Sequence, residues 1–167
     1  MREHGYAGMS LESVARDAAT TVPTLRRRYG SKAELAAAVV DSLRIDPLRL
    51  PDGPPRARAL AILENFQRNL DREHSMALLG TLLVEETRTP ELLKRFRARM
   101  VNARRSMLTE AIQEGIATGE LPADTDPDVA VNALLGSFYA RYVALGRTPR
   151  NWPRRALHQI WPERLRG

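Results

Sequence analysis

An all-α fold is predicted by three observations. Apolar residues recur at three- and four-residue spacing along most of the chain. Ser, Thr and Asp stand where helices would begin. The aromatic and β-branched clusters that mark strands are nearly absent, aromatics making up 5% of 167 residues. A chain of this length suits one ordinary domain, or a small module attached to a larger one. No apolar run approaches the roughly 18 residues of a membrane span. The longest, around Leu78 to Val84, is interrupted by Gly80 and Thr81 and reads as core helix. Cysteine is absent, which removes disulfides, thiolate chemistry and Cys-ligated zinc; with no secretory signal ahead of residue 10, a cytoplasmic location is expected.

Leu11, Val14, Ala15 and Ala18 place one apolar stripe on a short first helix, with Ser10 as its N-cap and Ser13 and Arg16 pointing outward. The stretch AATT breaks that pattern. Thr21 can then cap a second helix whose first turn holds Pro23 and whose buried side is Leu25 and Tyr29. A third start follows at Ser31, with Glu34 completing a capping box and helix-favouring residues running on to Leu43. PLRLPDGPP, residues 47–55, holds four prolines and a glycine, so no helix can pass through it. It is the predicted linker between domains at 1–46 and 56–167. Beyond it, helices are expected at about 56–72, 75–88, 90–118, 127–146 and 153–165. Pro90 opens the longest, and Asp126 with Pro127 follows the polar loop TGELPADTDP.

The net charge of +6 gathers at the two ends. Residues 1–44 carry seven basic and five acidic groups, residues 45–140 twelve and fourteen, and residues 141–167 seven and one. Between Thr20 and Lys32 stand four cations and no anion, a density suited to a polyanion. On the second helix, about 100° per residue puts Pro23 and Arg27 nearly opposite the buried edge, with Arg26 and Arg28 on the flanks. Such a helix fits the DNA major groove, where Arg donates bidentately to guanine and Thr or Val methyls touch the thymine methyl. The flanking arginines would reach phosphates. Lys32 would join them at the start of the next helix, where free backbone N–H groups also attract a phosphate. A helix-turn-helix is the natural assignment. The plainer alternative is a solvated helical hairpin whose arginines serve solubility.

The stretch GYAGMSLESVARDAATTVPTLRRRYGSKAEL, residues 5–35, resembles the DNA-binding signature of the tetracycline-repressor (TetR) family of bacterial regulators. The matching positions are Gly5, Tyr6, Ser10, Val14, Ala15, Thr24, Leu25, Tyr29, Ser31, Lys32 and Leu35. The resemblance implies a homodimer on a palindromic double-stranded operator, released when a small molecule enters the C-terminal domain. Carried over by position, it implies that Thr21, Val22, Pro23, Thr24 and Arg27 face bases, and that Arg26, Arg28 and Lys32 contact phosphates. The family's Gly-Val turn is replaced here by Ala19-Thr20, its Tyr after Thr-Leu by Arg26, and its Thr before Ser10 by Met9. It also implies a further helix ahead of Gly5-Tyr6, where only MREH stands, so a shortened or missing first helix is expected.

Between Val129 and Leu145 only Asn132, Ser137 and Arg141 are clearly polar, so this helix should be buried on more than one side. With the last helix, where Ala156, Leu157, Ile160 and Trp161 recur, it would form a four-helix interface with a symmetry mate, the small Ala133, Gly136 and Ala140 allowing close approach. A central helix of a monomeric bundle is the alternative. An effector pocket is expected among the middle helices, with Phe66, Asn69, His74, Met76, Phe96, Met100, Tyr139 and Tyr142 as its lining. No metal site is expected: no Glu-x-x-His occurs, although His74 with Asp71 and the pair Glu85-Glu86 are available. His-Glu-x-x-His, phosphate-loop and Gly-x-Ser-x-Gly motifs are absent and only three histidines are present, so neither an enzyme nor a cofactor is predicted. The expected function is therefore a ligand-responsive, DNA-binding repressor. The alternatives are a helical dimer impaired in DNA binding that takes a ligand or protein partner, and a cofactor-free bundle enzyme using a carboxylate such as Glu85.

Overall fold

The computed structural model describes Tyr6 and residues 8–163, so Gly5 of the signature and the expected end of the last helix at 165 lie outside the described residues. The described residues form helices and no strands. Three short helices come first: α1 (Leu11–Asp17), α2 (Val22–Tyr29) and α3 (Lys32–Asp41). Each begins at a hydroxyl cap, Ser10 accepting from the Ser13 N–H, Thr21 from Thr24 and Ser31 from Glu34. These bonds satisfy backbone donors that a helix start leaves unpaired. α1 ends at Asp17, so Ala18 is its exposed cap and does not extend the buried stripe.

Residues 43–54 carry no helix, as Pro47, Pro51 and Pro54 dictate, and the chain then forms α4 (Pro55–Leu70), opened by the fourth proline, and α5 (Ser75–Val84). α5 is four residues shorter than the spacing predicts. Thr87 and Thr89 are β-branched, and Thr89 precedes Pro90, which drives it out of the helical region (φ −140°, ψ 67°).

The expected helix at 90–118 is continuous but not uniform. α6 (Pro90–Phe96) passes through a π turn at Arg97–Val101 into α7 (Asn102–Ala117). The apolar spacing supplies a reason. Leu92, Leu93 and Phe96 are buried ahead of the turn, and Leu108, Ala111, Ile112 and Gly115 after it. At about 100° per residue these two stripes are roughly a quarter-turn out of phase, and a π turn absorbs one extra residue. α8 (Pro127–Leu145) starts on Asp126, whose carboxylate accepts from the Asp128 and Val129 N–H groups. α9 (Trp152–Ile160) stops before Pro162, with Trp161 already out of the helical region at φ −137°, ψ 77°.

The chain divides into two compact units, one of residues 1–45 with 70–102 and the other of residues 46–69 with 103–167. The first is built on an apolar cluster of Met9, Ala36, Ala37, Val40, Leu78, Leu82, Leu92, Leu93 and Phe96, against which Tyr6 and Val14 pack. The second carries a group of rings. Phe66 meets Phe138 at 5.4 Å and Tyr139 at 5.8 Å, and Phe138 meets Trp152 at 5.2 Å, all three edge-on. Leu157 and Trp161, expected at a subunit interface, are fully buried within this unit, Trp161 lying against Gly115. They reach inward because α9 is amphipathic, with Arg154, Arg155, His158 and Gln159 on its exposed side.

Candidate nucleic-acid interface

The turn between α1 and α2 is tight because Ala19 adopts φ 48°, a left-handed conformation that a side chain disfavours. The Thr20 N–H returns to the Ala15 carbonyl at 2.8 Å, closing the turn. α2 then buries Leu25 and half-buries Val22 and Tyr29, leaving Thr21, Pro23, Thr24, Arg26, Arg27 and Arg28 exposed. Val22 is thus less accessible than its neighbours. The hydroxyls of Thr21 and Thr24 share a hydrogen bond of 2.9 Å, so the start of the helix is held by its own side chains. The three arginines occupy the last turn, where the helix dipole favours cations.

Behind α2, Gly30 turns the chain with φ 70°, and the Glu34 carboxylate lies where a Cβ on Gly30 would sit. Lys32 opens α3, and its Nζ stands 4.5 Å from the centre of the Tyr6 ring. The Arg28 guanidinium similarly lies 5.4 Å from the centre of the Tyr29 ring. Glu12, exposed on α1, has its carboxyl held below the usual range by hydrogen bonds to its own backbone N–H and to Ser10, with a further contribution from the charge of Arg26. Sequence reasoning did not find the Tyr6–Lys32 or Glu12–Arg26 relationships, because each joins elements whose packing no spacing rule gives.

α8 presents a different exposed face. Val129, Ala133, Gly136, Ala140 and Val143 are all exposed, at alternating spacings of four and three, with Val129 at 62% and Val143 at 83%. A Cβ built at Gly136 meets nothing within 4 Å, so packing within the chain does not require glycine there.

The eight side chains expected around an effector divide between the two units. Phe66, Asn69, Tyr139 and Tyr142 lie in the second, and His74, Met76, Phe96 and Met100 in the first. Phe96 belongs to the apolar cluster and Met100 packs on it. His74 is exposed at φ 66° and pairs with Glu73 at 3.2 Å. Asn69 accepts from the Asp46 N–H at 2.9 Å and donates to the Asn65 carbonyl at 2.8 Å, pinning the connecting segment to α4.

Arg104, absent from that expected set, is the notable neighbour of Phe66 and Tyr139. Its guanidinium lies 5.6 Å from the Phe66 ring centre and donates to Asn65 Oδ1 at 3.3 Å. Burial pushes its pKa down and pushes the Tyr139 hydroxyl up, each shift partly offset by the other group. A signal for it existed, since Arg104 shares a face of α7 with Leu108, Ala111, Ile112 and Gly115. The described residues contain no cluster of three potential metal ligands, and none of their helices is long and apolar enough to cross a membrane.

Residues 1–39 match the model of bacterial regulatory proteins, tetR family, and residues 51–160 match the tetracyclin repressor-like C-terminal domain. The chain is 27% identical over 150 residues to HTH-type transcriptional regulators of Mycobacterium bovis and Mycobacterium tuberculosis, an alignment covering 89% of this chain and 73% of each relative. Among solved structures it is similar to the TetR family transcription regulator SCO0332, with 25% identity, a TM-score of 0.59, and 93% and 86% of the two chains covered. A linker-substituted mutant of HlyIIR shares the fold at a TM-score of 0.73 and 16% identity, over 97% of this chain and 89% of that one.

Proposed function

Because the chain belongs to the TetR family and is a DNA-binding transcriptional regulator rather than an enzyme, we propose that it acts in the cytoplasm as a homodimeric repressor. In this reading it binds a palindromic operator and leaves it when a small molecule enters the helical domain. The observation that carries the reading is the exposed face of α2, three arginines and two threonines on a capped helix with no acidic residue. Arg27 reads a base edge, with Thr21, Pro23 and Thr24 beside it and Val22 a lesser contributor. The bond between the Thr21 and Thr24 hydroxyls engages only one of their two O–H groups, so the other stays available to a base edge beside the Arg27 guanidinium. Arg26, Arg28 and Lys32 hold phosphates and fix the register.

A single short recognition helix contacts few phosphates, and two-fold pairing supplies the rest. The exposed stripe of α8 supports that pairing, because its small residues allow another helix to approach closely and a Cβ at Gly136 would meet nothing within its own chain. The effector enters the second unit beside Phe66, Asn69, Tyr139 and Tyr142.

Selection of duplexes from a random-sequence library by the full chain tests the reading. An enriched inverted repeat is the expected result. Enrichment of a single unrepeated site would overturn the dimer, and no enrichment would overturn sequence-specific binding.

A further inference from the structure

Lys32 stands at the first position of α3 with its Nζ 4.5 Å from the centre of the Tyr6 ring. That separation is within the range of a cation–π attraction, in which the negative face of the ring holds an ammonium group. Tyr6 in turn packs against the apolar cluster that contains Met9, Ala36, Ala37 and Val40, so the ring is anchored to the interior from which α3 emerges. A lysine has four rotatable side-chain bonds, and ordering it on a phosphate costs conformational entropy. A ring that already limits those rotamers removes part of that cost before DNA arrives.

We propose that Tyr6 is a positioning residue for DNA binding, holding the Lys32 ammonium group on its ring so that the cation is preorganised for a backbone phosphate. Tyr6 does not itself touch DNA in this account. The inference rests on the phosphate role given to Lys32 above. It makes the aromatic ring the functional part of Tyr6 and leaves the phenolic hydroxyl without a task.

The test is fluorescence anisotropy of a labelled duplex, chosen by library selection with the unmodified full chain, across a salt series. The proteins compared are wild type, Tyr6→Phe, Tyr6→Leu, Lys32→Gln and the double variant Tyr6→Leu/Lys32→Gln. Tyr6→Phe should bind as wild type does. Tyr6→Leu, which keeps an apolar side chain against the cluster, should bind about two- to fivefold more weakly. In the Lys32→Gln background the same change should have no further effect. The Lys32 ε-methylene protons should show an upfield ring-current shift in wild type and in Tyr6→Phe, which reports that the ring holds the lysine side chain in solution.

If Tyr6→Leu weakens binding equally in both backgrounds, or the ring-current shift is absent from wild type, the positioning role is overturned. If Lys32→Gln leaves the slope of affinity against salt unchanged instead of reducing it by about one, the phosphate role of Lys32 fails, and the proposal falls with it.

Discussion

α2 and α8 are built alike and displayed differently. Each has an oxygen-bearing N-cap, a proline in its first turn and one face left exposed. On α2 that face is Thr24, Arg26, Arg27 and Arg28; on α8 it is Val129, Ala133, Gly136, Ala140 and Val143. The backbone device is shared, so the difference in partner lies in the side chains. A cationic face with short hydroxyls suits a polyanion whose groove edges carry acceptors. A face of small apolar residues, with nothing packed at Gly136, suits another helix. One protein thus carries two surfaces of opposite chemistry, and in the proposed dimer the second would bring two α2 helices to one operator.

The sharpest way to break this comparison is to put charge on the apolar face. Gly136→Arg should leave the protomer folded, because a side chain there meets open space, yet sedimentation should show a monomer. Operator affinity should drop on the order of 100-fold or more with half of the phosphate contacts gone. A Gly136→Arg protein that remains dimeric would remove α8 from the interface.

Smaller changes separate glycines that face outward from those that face inward. Gly115→Ala would drive a methyl into the buried Trp161 ring and should cost about 1 to 3 kcal/mol in a denaturant titration. Gly136→Ala, with no such neighbour, should raise protomer stability by up to about 1 kcal/mol through helix propensity. Equal and opposite outcomes would mean that the two faces have been assigned the wrong way round.

On the cationic face, Arg27→Ala should cost about 1 to 3 kcal/mol of operator binding and relax specificity at one base position, whereas Lys32→Gln should weaken all sequences alike. Competition against single-base operator variants distinguishes the two. The smallest expected effect is in the turn that aims α2. Ala19 holds φ 48°, so Ala19→Gly should relieve strain and raise stability by about 1 kcal/mol without altering operator choice, as thermal unfolding and the same competition series would record.

Much of this was legible in the letters because it depends on local chemistry. Ser10, Thr21 and Ser31 mark helix starts by capping, Pro127 marks another, and Leu25 against Arg27 fixes which side of α2 is exposed. What was not legible depends on phase or on packing across elements. The π turn at Arg97–Val101 changes the register of a helix that reads as uninterrupted. Leu157 and Trp161 look like interface residues by composition, and only tertiary packing turns them inward. The expected effector lining draws on both compact units, because Phe66 and Phe96 look equivalent as isolated aromatics and no local rule says which unit each belongs to. Arg104 is one arginine among many by letter, and only its place on the buried stripe of α7 distinguishes it.

The central claim is that the arginine face of α2 makes this chain a sequence-specific DNA binder. The measurement that tests it most directly is the affinity of the full chain for labelled DNA from its own promoter region, and for a shuffled duplex of the same composition, across a salt series. The account predicts saturable binding that weakens steeply with salt and exceeds binding to the shuffled duplex by about 10³-fold or more. Equal affinity for the two duplexes, or affinity indifferent to salt, would contradict it.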